Sequence, residues 1–193
     1  IDKETGKIVI RNDGEGIKVE LHSKENVYIP ELIFGHLLTS SNYSDSKIAH
    51  TGGKNGYGAK LTNIYSLLFN IETINHFNGK KYRQSFYENM SRKDKPSITK
   101  NGGKPYTQIT YLPDYKRFNE NGLSNDMYSI MEKRAYDLAA CTSNNVNIYF
   151  NDEKLDCKTF EKYVDYYIGD KTINPRCYEK INDKWEVIVA MSP

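Results

Sequence analysis

Apolar and polar residues alternate along residues 7–12 (KIVIRN), after Thr5-Gly6, and the Asp13-Gly14-Glu15-Gly16 run breaks the pattern. Side chains two apart share one face of a strand, so a half-buried strand closed by a glycine turn is expected here. Residues 30–39 (PELIFGHLLT) change to helical spacing: Pro30 suits a helix start, and Leu32, Ile33, Leu37 and Leu38 fall on one face. Residues 40–55 are rich in Ser, Asn and Gly and read as a long loop. Leu61, Ile64 and Leu68 then predict a second helix over residues 57–68.

Residues 70–77 and 80–87 read as two strands flanking Asn78-Gly79, a dipeptide suited to the positive φ angles of a tight hairpin turn. Another strand is expected at residues 106–112. A helix follows over residues 124–141, capped by Ser124 or Asn125, with Met127, Met131, Ala135 and Leu138 as its buried stripe. Residues 145–150 return to strand period, and residues 159–168 form a short aromatic helix. Residues 169–184 are charged and loop-like, and residues 185–191 (WEVIVAM) form a new strand. This shift in composition places a domain boundary near residue 170.

The 193 residues, 38% of them hydrophobic, suffice for a sizeable core, and no apolar run approaches the roughly 20 residues that span a bilayer. No membrane association is expected. Cys141, Cys157 and Cys177 lie far apart and form no CxxC, so neither a disulfide framework nor a zinc site is suggested. His22, His36, His50 and His76 have no metal-binding spacing. A net charge of +2 is too small to mark the whole chain as a nucleic-acid binder. The chain begins at Ile1 and enters a strand almost at once, which reads as a piece of a longer protein.

The candidate chemistry lies in residues 51–60, TGGKNGYGAK, with four glycines and two lysines in ten positions. Neither the Walker pattern nor the dinucleotide fingerprint fits, because Ala59 separates Gly58 from Lys60 and the third fingerprint glycine is missing. Glycines at 52, 53, 56 and 58 still let several backbone N–H groups approach one anion, with the next helix start and Lys60 adding positive charge. Spacing alone leaves two readings open: a phosphate cradle, or glycines that cap and turn a surface loop.

Three ordered motifs, NDGEG (12–16), PELIFGHLLTSSNY (30–43) and TGGKNGYGAKLTNIYS (51–66), resemble the ATPase domain of eukaryotic type IIA DNA topoisomerases. These belong to the GHKL superfamily with gyrase B, MutL and histidine kinases. The likeness continues through YTQITYLPDYKRF, MEKRAYDLAAC and FEKYVDYYI. It implies an α+β fold, a two-layer sandwich of helices on a mixed β-sheet (the Bergerat or GHKL fold). Residues 1–170 would be the ATPase domain, and residues 171–193 a linker and the first strand of a transducer domain.

The resemblance also implies roles. Asn12 matches the residue that hydrogen-bonds the adenine amino group, and Gly14 and Gly16 keep the backbone clear of the base. Ser40, Ser41 and Asn42 match the cluster at ribose and phosphates. Gly53, Lys54, Asn55, Gly56, Tyr57, Gly58, Ala59 and Lys60 match the phosphate cradle and lid. The family usually has Arg where Lys54 stands, which exchanges a bidentate fork for a point charge. Thr107 matches a strand residue near the adenine. ATP and Mg2+ are the implied cofactors, while the general base and the metal ligand are expected upstream of residue 1, so no catalytic residue is expected in this chain. The intact enzyme would be a nuclear homodimer acting on double-stranded DNA. Another GHKL ATPase, of chaperone or mismatch-repair type, or a noncatalytic nucleotide-binding module are the alternatives.

Overall fold

The computed structural model describes residues 1–39, 55–100, 102–143, 145–183 and 185–191. It divides into two compact units, Ile1–Leu123 and Ser124–Pro193, so the boundary expected near residue 170 falls inside the second unit.

In the first unit, alternating patterns produce strands β1 (Ile8–Asn12), β2 (Ser66–Ile74) and β3 (Lys80–Tyr87), the short β4 (Arg92–Lys93) and β5 (Ser97–Lys100), and β6 (Tyr106–Pro113). Their order is β1-β6-β2-β3-β4, with β5 also alongside β3. The family resemblance implies a mixed sheet, yet every pairing among these strands is antiparallel. Helices α1 (Ile29–Gly35) and α2 (Gly58–Ile64) lie in the crossover from β1 to β2. That crossover would make the two strands parallel neighbours, but β6 inserts between them and runs against both.

One face of the sheet carries the core. Phe69 and Ile71 of β2 and Tyr82 and Phe86 of β3 are buried with Val19, and Tyr28, Phe34, Ile109 and Tyr111 pack around them. Each such large apolar side chain stabilises the fold by about 1.5–3 kcal/mol. Helix α1 is held on this face by its Phe34 ring, 5.8 Å from Phe69, and by buried Glu31, which accepts from Lys93 Nζ of β4 at 2.6 Å.

Both helices are shorter than their spacing suggests. α1 stops at Gly35, where a Cβ would stand 3.1 Å from the Phe86 ring, and His36 turns extended (φ −128°, ψ 127°). Leu37 and Leu38, expected on the buried face, are therefore exposed. Helix α2 ends at Ile64, because the leucines after it are drawn into β2, where Leu68 pairs with Tyr87 and Leu112. The hairpin between β2 and β3 is present, but its loop is longer than a two-residue turn. Asn75 N donates to Lys80 O at 3.0 Å, and of the Asn78-Gly79 pair only Gly79 has a left-handed φ, 60°.

In the second unit, helix α3 (Asn125–Cys141) is capped by Ser124, whose Oγ accepts from Met127 N at 3.2 Å. Its inward side runs through Ala135, Tyr136, Ala139 and Ala140, packed with Leu155 and Cys157. The predicted stripe is thus displaced around the helix, and Met127 and Leu138 are exposed. Strands β7 (Tyr149–Phe150) and β8 (Glu153–Lys154) form a small ribbon, and Thr159 caps helix α4 (Phe160–Ile168). Residues 169–184, predicted as loop, contain strand β9 (Arg176–Asn182), which pairs with β10 (Trp185–Ala190).

Candidate functional site

The site is built at one end of the sheet. Asn12 closes β1 opposite Thr107 of β6, and Thr107 lies opposite Thr73 of β2, so the three residues form a row across neighbouring strands. Paired residues share a face, and this is the face that carries Phe69 and Ile71 further along β2. Asn12 is exposed, its Oδ1 accepting from Gly14 N at 3.4 Å. Thr73 is fully buried. Its Oγ1 lies 3.0 Å from Ile17 N, 2.9 Å from Tyr106 O and 3.1 Å from Thr107 Oγ1.

The turn after β1 is pressed onto β2. His76 N donates to Glu15 O at 2.8 Å, and Gly16 has φ 71°, with the carbonyl oxygen of Ile74 only 1.9 Å from where a Cβ would stand. Gly16 is therefore glycine because the backbone of β2 passes against it. That reason lies in the fold and differs from the clearance for a base expected from the motif. Gly14 has a Cβ position 3.4 Å from Asn12 Oδ1 and no comparable crowding.

Ser40, Ser41, Asn42, Gly53 and Lys54 lie outside the described residues. Of the rest of the cradle, Asn55 is exposed and Gly56 turns the chain with φ 69°. Tyr57 precedes α2, and Gly58 and Ala59 are its exposed first residues. A Cβ on Gly58 would meet nothing within 4 Å among the described residues, and its φ is not left-handed. Neither packing nor backbone geometry among the described residues explains that glycine. Helix α2 has only seven residues, so the dipole expected at its start is correspondingly weak.

Lys60 departs most from expectation. It is 2% exposed, and its Nζ donates to Gly56 O at 2.7 Å and Thr39 O at 3.3 Å. Burial pulls its pKa below the ordinary lysine value. The ammonium thus ties the glycine loop to the chain leaving α1, immediately before Ser40. Buried Asn63 reinforces the link, donating from Nδ2 to Phe34 O at 3.1 Å. Lys60→Ala is accordingly expected to act twice. It should lower stability by about 1–3 kcal/mol, through the two carbonyls left without their donor, and weaken triphosphate binding roughly tenfold to a hundredfold. Urea unfolding beside ATP titration checks both, and a variant as stable as wild type would contradict the tether.

The sequence reading did not single out Thr73, Ile17 or Thr39. Thr73 could have been found, since it is the one hydroxyl residue in the inward stripe Phe69, Ile71, Thr73 of β2. A cleft of about 180 Å3 on the sheet's other face, lined by Asn70, Glu72, Arg83 and Gln108, holds none of the predicted residues. Neither does one of about 340 Å3 between α3 and α4.

Helices on one face of an antiparallel sheet, with a glycine loop feeding the helix beside them, define a two-layer α+β fold of the GHKL ATPase type. No family model matches the chain. It is 46% identical over 199 residues to DNA topoisomerase 2 of Arabidopsis thaliana and 42% identical over 209 residues to that of Saccharomyces cerevisiae. Both alignments cover 100% of this chain, which spans 14% and 15% of those relatives. The structure superposes on the ATPase region of Saccharomyces cerevisiae topoisomerase II with a TM-score of 0.93 at 45% identity, covering 100% of this chain and 51% of that one. The ATPase and transducer domains of DNA topoisomerase II from Balamuthia mandrillaris give 0.89 at 42% identity, covering 98% and 48%. The chain belongs to the eukaryotic DNA topoisomerase 2 family and corresponds to part of its ATPase region.

Proposed function

We propose that this chain is the nucleotide-holding part of an ATP-dependent DNA topoisomerase. The observation that carries the reading is the likeness, along the whole chain, to the ATPase region of yeast topoisomerase II. The residues present suit an adenine nucleotide. Asn12 is exposed at the end of the core face, and its amide carbonyl can accept from the adenine amino group. Thr107 stands beside it in register. The open space at Gly58 leaves room for phosphate oxygens to approach the backbone. Ser40, Ser41 and Asn42, together with the loop from Gly53 to Lys60, would hold the ribose and phosphates.

Residues 1–170 form the ATPase domain in this reading, with residues 171–193 a linker and the first transducer strand. In the intact protein, a nuclear homodimer, nucleotide binding closes the N-terminal gate and drives one DNA duplex through another. Lid ordering around the phosphates is the local event. Magnesium accompanies ATP in this reading, but among the described residues no cluster of three or more His, Cys, Asp or Glu could hold a metal. In this reading no residue of this chain is assigned to the metal or to the general base. No helix among the described residues is long and apolar enough to cross a membrane.

Asn12→Ala tests the base-reading half. ATP and ADP should weaken equally, by roughly threefold to tenfold, because both carry adenine and one hydrogen bond is lost. The melting temperature should not change, since the side chain is exposed. Unequal losses for the two nucleotides in a calorimetric titration would assign Asn12 elsewhere.

A further inference from the structure

We infer that Thr73, which touches no ligand in the proposed arrangement, sets purine specificity by fixing the direction of the Thr107 hydroxyl. The inference rests on the adenine reading above and adds to it a residue buried one strand away.

Thr73 Oγ1 has one proton to donate and two lone pairs, and three partners stand within reach: Ile17 N, Tyr106 O and Thr107 Oγ1. Ile17 N is a donor only and takes one lone pair. Tyr106 O is an acceptor only, so satisfying it uses Thr73's single proton. The remaining lone pair then accepts from Thr107, whose own proton is committed inward. Reversing the last bond would leave the Tyr106 carbonyl without this donor and make two bonds in place of three. Thr73 is fully buried, so no solvent repairs that loss.

The consequence falls on the outer side of the pair. With its proton turned toward Thr73, the Thr107 hydroxyl presents only acceptor lone pairs at the row it shares with Asn12. A purine edge set against Thr107 finds an acceptor there, and must bring a donor. The 6-amino group of adenine supplies one. The 6-oxo group of hypoxanthine or guanine sets acceptor against acceptor. Thr73 is thus a positioning residue whose effect appears in discrimination between bases.

The probe is inosine triphosphate, which replaces the 6-amino donor of ATP by a 6-oxo acceptor, and the readout is the ratio of the two affinities in the 193-residue chain. Wild type should prefer ATP. Thr73→Val releases the Thr107 hydroxyl to rotate and donate, so the preference should fall roughly threefold to tenfold, and Thr73→Ser, which keeps the hydroxyl, should restore it. Both nucleotides report on the same folded fraction, so the ratio is insensitive to lost stability. Thr107→Val covers the case in which Thr73→Val does not fold, because it leaves Thr73 bonded to Ile17 N and Tyr106 O. The preference should fall in that variant as well. An unchanged ratio in Thr73→Val, or in Thr107→Val if that is the variant read, overturns the inference. If Asn12→Ala still lowers the ratio, only the role of Thr73 has failed. A wild type that binds the two nucleotides equally, or binds neither, overturns the adenine reading and this inference with it.

Discussion

Gly16→Ala is expected to destabilise the first unit by roughly 3–5 kcal/mol, enough to lower Tm by about 10 °C or more. Two costs add. A φ of 71° strains any L side chain by about 1–2 kcal/mol, and the new methyl would stand 1.9 Å from the Ile74 carbonyl oxygen, so the turn or β2 must move. Movement there breaks the bonds from His76 N to Glu15 O and from Ile17 N to Thr73 Oγ1. Gly14→Ala is the internal comparison. Its Cβ would meet only Asn12 Oδ1, at 3.4 Å, and its loss should stay within about 1 kcal/mol. Thermal unfolding of both variants separates the cases, and equal melting temperatures would mean that the contact at Ile74 relaxes at little cost.

Gly58→Val is expected to do the reverse, leaving stability within about 0.5 kcal/mol of wild type while abolishing triphosphate binding. A glycine loop often needs dihedral angles that only glycine adopts, but among the described residues of this loop the left-handed φ belongs to Gly56. Gly58 begins α2 with ordinary backbone, and its Cβ direction is open. A branched side chain therefore disturbs nothing in the described fold and fills only the space that phosphate oxygens would enter. ATP titration and thermal unfolding on the same preparation decide the matter. Wild-type ATP affinity in this variant would remove Gly58 from the cradle, and a large fall in stability would indicate a structural glycine instead.

Lys60 shows how far local pattern reaches at the site. Its place in a glycine-rich loop identified it as a residue that handles charge. Its burial and its bonds to the Gly56 and Thr39 carbonyls depend on where α1 ends. The same division runs through Thr107 and Thr73. The motif marked the first, while the second matters only because β6 lies between β1 and β2 and brings their ends into one row.

The sequence by itself determined the α+β class, the strands at Ile8–Asn12 and Tyr106–Pro113, the helices over residues 124–141 and 159–168, and the family to which the motifs belong. Alternation, capping and turn chemistry act within a few residues, so they are legible without a fold. Tertiary structure decided where α2 stops, because β3 and β6 draw Leu68 into the sheet. It decided which side of α3 is buried and that the backbone of β2 crowds Gly16. Each of these depends on a partner distant in sequence, and burial against such a partner outweighs local preferences of a few tenths of a kcal/mol per residue.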